Sequence, residues 1–262
     1  MPVAAHLARL SALALLVLAA TLGRACAGDP DALWKIVHDR CVPGQIEHGD
    51  PAPCATVALA TVGDKGWAVL KDREGATQFL VIPTARIAGI EDRALLAPDA
   101  TNYWQAAWYA RQDMLARLGH ELPRDAISLA VNSPQSRSQN QLHIHVDCVR
   151  ADVRDALRAH LADIGPDWKP FAVPLVGRTY QARRIDGDDF EAANPFWLLA
   201  AAPGVGAAGI GTHTLVVVGA SFANGRDGFV ALDDHVDASA GDRARGEDLQ
   251  DHGCAVSKTT SN

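Results

Sequence analysis

The chain has 262 residues, 48% of them hydrophobic and 21% charged, with a formal net charge of −7. That composition belongs to a folded globular protein with length for one large domain or two small ones, and it excludes a chain disordered throughout. Lys and Arg are scattered along an acidic chain, which excludes a nucleic-acid binder, because phosphate backbones recruit concentrated positive charge.

In chain order, Arg9 is followed by an almost wholly apolar run, residues 10–23, then Arg24 and the small-residue pattern Ala25-Cys26-Ala27. A helix of that run spans roughly 21 Å, short of the ~30 Å hydrocarbon core. Residues 1–27 therefore predict an export signal cut after Ala27, with an uncleaved anchor that snorkels its arginines as the rival. Cleavage leaves Cys41, Cys54, Cys148 and Cys254. Four cysteines in an exported chain predict two disulfides with three connectivities open. The favoured pairing is Cys41 with Cys54, across the turn-rich "CVPGQIEHGDPAPC", and Cys148 with Cys254, tying the chain's end to the histidine-rich segment.

"DPDALWKIVHDRC" predicts a short helix capped by Asp29 and Pro30, with Leu33, Ile36 and Val37 on one stripe. "CATVALATVG", "KGWAVLKDREG" and "TQFLVIPT" are β-branched runs separated by turn residues and predict a β-meander. From Asp99 to Leu118, Trp104, Trp108, Leu115 and Leu118 recur at helical spacing, and Gly119 ends the helix. "AISLAVN" and "QLHIHVDCV" predict strands around a polar loop, and "ADVRDALRAHLADI" an amphipathic helix with Val153, Leu157, Leu161 and Ile164 inward. "GRTYQARRI", "FWLLAAAP", "HTLVVVGASF" and "DGFVALDDH" then predict strand, helix, strand, strand, and "DRARGEDLQDHGCAV" a final helix. Antiparallel hairpins with helices between them make the fold class α+β. The order after residue 166 loosely echoes residues 60–130, so the domain 28–262 divides into a catalytic half, about 55–165, and a second half, about 166–254, that is a candidate relative of the first.

The stretch "NSPQSRSQNQLHIHVDCVR" carries most of the chemistry. Along a strand, Leu142, Ile144, Val146 and Cys148 face one way, and Gln141, His143, His145 and Asp147 the other. Same-face neighbours lie about 6.7 Å apart, close enough for two imidazoles to converge on one phosphate. Asn132, Ser133, Ser136, Arg137, Ser138, Gln139 and Asn140 crowd donors into the preceding loop, where they are candidates for holding diphosphate oxygens. A metal reading of His143 and His145 needs a third ligand, and His120, His213 and His235 have no spacing that singles one out. Nothing in the pattern demands a bound metal or cofactor.

"QLHIHVDCVR" resembles the His-x-His-x-His signature of the histidine-triad superfamily, and "GWAVLKDREGATQFLVIPTARIAGIED" its hairpin and "IP" loop. With the exported N-terminus, "CVPGQ…PAPC", "YQARRI" and "DHGC", the pattern from Leu33 to Cys254 resembles the bacterial CDP-diacylglycerol pyrophosphatases. The resemblance implies a histidine-triad-like antiparallel sheet packed with helices, and hydrolysis of CDP-diacylglycerol to CMP and phosphatidate through a nucleotidyl-histidine intermediate. It places the nucleophile at His143, with His145 on the same phosphoryl group and Gln141 where the family pattern has its first histidine, an amide that can still orient an imidazole. Ser138, Gln139, Asn140, Asn132 and Arg137 are its substrate-binding candidates, and Lys71 on "AVLKD" a second cation. It further implies a lipid substrate met at a membrane surface on the periplasmic side of the inner membrane, with Phe196 and Trp197 as candidate contacts and no obligate protein partner. The rival readings are a soluble hydrolase or transferase of nucleotide diphosphates, and a nucleotide- or lipid-binding module without catalysis.

Overall fold

Short runs, most of them apolar and β-branched, build one nine-stranded antiparallel sheet in the computed structural model, which describes residues 28–60, 65–223 and 225–260. The expected export signal, residues 1–27, lies outside the described residues. The strands are β1 (Thr56–Ala58), β2 (Trp67–Lys71), β3 (Phe79–Pro83), β4 (Ile127–Val131), β5 (Ile144–Cys148), β6 (Lys169–Pro170), β7 (Gln181–Asp186), β8 (His213–Ser221) and β9 (Asp227–His235). Their order is β1-β2-β3-β5-β4-β8-β9-β7-β6. The first three form the expected meander. The halves meet where β4 pairs with β8, Ser128 opposite Val218 through Val131 opposite Leu215, so one sheet runs through both. The architecture is α+β.

One face of the sheet is a single core. Val69, Val81, Leu129, Ile144, Val146, Leu215, Val217 and Phe229 contribute to it from six strands. Helix Tyr103–Leu118 covers this face with Trp104, Trp108, Met114 and Leu115 buried, Trp108 edge-on to Phe229. It starts at Tyr103 rather than Asp99, after Asn102, whose amide donates to the carbonyls of Phe190 and Ala193. It ends at Gly119, whose φ of +80° is reached there at little steric cost.

The opposite face is covered in two pieces. Ala68, Leu70, Leu80 and Ile82 pack under the N-terminal helical segment around Val37 and Cys41. Val216, Val218, Val230 and Leu232 pack with Val153 and Leu157 of helix Ala151–His160. Between the two patches runs a polar seam of Ser128, His145, Asp147 and Gln250, all buried. Among the described residues no helix is long and apolar enough to cross a membrane.

Three local expectations are corrected. Asp31, not Asp29, stands at the cap of the first helix. The stretch after Cys41 continues helically over Val42–His48, with Pro43 in its first turn, before the left-handed Gly49 ends it. No α-helix forms over "DRARGEDLQDHGCAV". The backbone there runs along β5 instead, Leu249 accepting from Arg150 N and Cys148 from Asp251 N, and the segment is left with short 3-10 turns. Both favoured disulfides, Cys41–Cys54 and Cys148–Cys254, are present.

Candidate active site

The pleat of β5 puts Ile144, Val146 and Cys148 into the core and leaves His145 and Asp147 in the seam. His143 lies just before the strand, because Leu142 N donates to the carbonyl of Ile87 rather than joining the ladder. The two imidazoles are buried, 4.7 Å apart between centroids and close to perpendicular.

Each ring is fixed through Nδ1. His143 Nδ1 lies 2.7 Å from the Gln141 carbonyl oxygen. A carbonyl only accepts, so the proton sits on Nδ1 and the in-plane lone pair on Nε2. His145 Nδ1 is 3.2 Å from Glu247 Oε1 and 3.0 Å from the amide nitrogen of Gln78. Among the described residues its Nε2 has no hydrogen-bond partner, and it is buried. A buried orphan of this kind marks a place where a ligand or water completes the bonding. Burial holds both imidazoles below the ordinary histidine range, against the opposing pull of Glu247, with His145 brought down to about 3.

Glu247 has no repeat or spacing that marks it in the sequence, yet it is central to the seam. Asn132 Nδ2 donates to its Oε2 at 2.5 Å, and its own backbone N–H donates to Asn132 Oδ1. Burial pushes this carboxyl up, but the Asn132 amide and the Arg245 guanidinium favour its charged form, and it lies below its ordinary value. Next along the seam, Asp147 is completely buried and accepts from Thr77 Oγ1 at 2.8 Å and from Cys148 N at 2.9 Å. His252 Nδ1 lies 2.7 Å from its other oxygen. His252 comes from the C-terminal segment pinned to β5 by the neighbouring disulfide. Gly75, at φ +67°, brings the β2–β3 hairpin so close that a Cβ there would meet His252 Cβ at 2.8 Å.

The other sequence candidates are placed as follows. Gln141 is buried and its amide donates to the carbonyls of Pro83 and Ala85, so its backbone, not its side chain, orients His143. Lys71 donates to the carbonyls of Asp72, Glu74 and Gly75 and holds the hairpin loop together. Arg137 is paired with Glu91 at 2.6 Å, though close enough to bear on the His143 charge. Ser133 and Ser136 donate to the carbonyls of Arg243 and Ala244, docking the segment that carries Glu247. Gln139 accepts from Leu33 N, which fastens the loop to the N-terminal helix. Ser138 and Asn140 are exposed. Phe196 is core, while Trp197 stays 41% exposed with its indole N–H on the Leu95 carbonyl. His213 is bonded to Asp233 with His235 beside it, and His120 is exposed. Among the described residues no three His, Cys, Asp or Glu side chains are grouped to hold a metal ion.

The arrangement thus offers a neutral imidazole with a free lone pair, a second imidazole backed by a carboxylate, and a third on a buried aspartate, all on one sheet face. Residues 28–258 match the model of the protein family described as CDP-diacylglycerol pyrophosphatase. A curated protein from Yersinia pestis named CDP-diacylglycerol pyrophosphatase is 39% identical over 226 residues, which span 86% of this chain and 84% of that protein. Coverage of nearly the whole fold, seam included, places the chain in the CDP-diacylglycerol pyrophosphatase family.

Proposed function

We propose that the chain hydrolyses the diphosphate of CDP-diacylglycerol to CMP and phosphatidate by two displacements at one phosphorus, with His143 as nucleophile. The supporting observation is the bond from His143 Nδ1–H to the Gln141 carbonyl, which commits the Nε2 lone pair to attack. In the first displacement Nε2 bonds the phosphorus bearing cytidine, the bond from that phosphorus to the bridging oxygen breaks, and phosphatidate leaves with the electron pair. In the second, water attacks the same phosphorus, the N–P bond breaks and the pair returns to Nε2, releasing CMP.

His145 serves the water. Its Nε2, buried and without a partner among the described residues, is the ring nitrogen left for the attacking water, and the imidazolium formed on taking the water's proton is stabilised by the Glu247 carboxylate 3.2 Å from Nδ1. Negative charge on the bound nucleotide raises the basicity of this ring relative to the empty site. Arg245, half-exposed next to Glu247, adds positive potential for the diphosphate.

Two broader aspects belong to the same proposal. Diacylglycerol chains stay in the bilayer, so the headgroup is met at a membrane surface. Two disulfides call for an oxidising compartment, in keeping with an exported chain on the periplasmic side. The test is His143→Ala assayed with CDP-diacylglycerol in mixed micelles. Turnover at least about 1,000-fold below the parent is expected, general acid–base and nucleophilic groups contributing on this scale; turnover near the parent rate removes the mechanism.

A further inference from the structure

The mechanism leaves one part of the seam without a task, the Asp147–His252 pair. Asp147 is fully buried, and its three bonds are to Thr77, to Cys148 N and to His252. His252 is partly open to solvent, with 34% of its side chain exposed, and borders an open groove lined by Arg150, Ala151, Asp152, Gln250, Asp251 and Gly253. Its Nδ1 is committed to Asp147, so Nε2 is the nitrogen that faces outward. Disulfide, hairpin and β5 hold it from three sides: Cys254 lies two residues on, Ala76 N donates to its carbonyl, and Asp251 N donates to Cys148.

In that mechanism His143 is spent as the nucleophile and His145 takes the water's proton, so neither is assigned to protonate the departing phosphatidate. Departure places a second negative charge on the lipid phosphate, and a positioned acid at that oxygen lowers its cost. Resting on the reaction proposed above, we infer that His252, oriented by Asp147, is the general acid for the leaving phosphatidate and that the lipid phosphate lies toward the Arg150–Gly253 groove. The balance is direct: the N–P bond forms at His143, the P–O bond breaks, the electron pair stays on the bridging oxygen, and that oxygen takes the Nε2 proton of His252. Solvent reprotonates the exposed ring. The charged and titratable groups around it are Asp147 and His145 on β5, Glu247, Asp72 and Lys71 of the hairpin, Asp251, and Arg150 paired with Asp152 across the groove. The Asp147 bond raises the His252 pKa above its ordinary value, with burial opposing, which favours the protonated ring that a general acid needs.

The experiment compares His252→Asn, whose amide can keep the bond to Asp147 but has no Nε2 proton, with the parent on two substrates. One is CDP-diacylglycerol and the other the 2,4-dinitrophenyl ester of CMP, whose leaving phenolate is a far weaker base than phosphatidate and departs without a proton. The variant is expected to lose on the order of 100-fold in kcat on the lipid, to stay within several-fold on the ester, and to lose the alkaline fall of the parent's pH profile. Equal losses on both substrates, or none on the lipid, overturn the assignment. Retained ester turnover also reports a folded variant, and a parent that forms no His143 adduct while this substrate contrast persists condemns the covalent step and not the acid.

Discussion

At the scale of the residue, one short hydrogen bond decides the chemistry. A histidine whose Nδ1–H is given to a backbone carbonyl is a neutral nucleophile, and burial keeps His143 in that form below the usual histidine range. The sign follows: protonation that silences Nε2 occurs only as pH falls through the lowered value, so the acid limb of kcat/KM belongs below the ordinary imidazole value of about 6.5. A pH–rate profile of the parent checks this, and an acid limb at or above that value contradicts it. The histidines were legible because two rings one residue apart on a strand share a face. Which donors near them are free was not legible. Lys71, Arg137 and Gln141 are cationic or amide groups of the right type, but each is engaged by carbonyls or a carboxylate from another part of the chain. Glu247 was invisible for the opposite reason, being one acid among the 31 Asp and Glu, with its importance set wholly by Asn132 and His145 across more than 100 residues.

At the scale of the element, strands and the long helix follow from local periodicity, and the sequence boundaries were close for that reason. The C-terminal segment fails this logic. Its composition suits a helix, but pairing with β5 and the Cys148–Cys254 bond override propensity and deliver Glu247 and His252 to the seam. The two disulfides therefore separate in their effects. Replacing Cys41 and Cys54 together by Ala is expected to lower stability by about 3 kcal/mol, the chain-entropy value for so short a loop, with kcat within a few-fold. Replacing Cys148 and Cys254 is expected to lower kcat by about tenfold or more, since the segment bearing the general acid loses its anchor. Denaturant unfolding and turnover measured on both double variants check the pair, and the reverse pattern contradicts it.

At the scale of the whole molecule, the β4–β8 pairing and a core shared by Trp104, Phe196, Leu215 and Phe229 make residues 31–262 one folding unit. Urea unfolding followed by tryptophan fluorescence and by far-UV dichroism is expected to give coincident single transitions, and two separable ones contradict the shared core. The sequence suggested two related halves. The interlocking of both halves in one sheet was beyond it, because the partner of a central strand is chosen by surfaces that only the assembled sheet presents. That assembly also explains the site's position, in the gap between the two apolar covers of one face.

The central claim is that His143 carries the nucleotide. Mass spectrometry of the protein mixed briefly with CDP-diacylglycerol and quenched under conditions that preserve a phosphoramidate tests it most directly. A cytidylyl adduct is predicted on His143, forming and decaying at rates that account for turnover and absent from His143→Ala. Sustained hydrolysis with no adduct, or with the adduct on another residue, contradicts it.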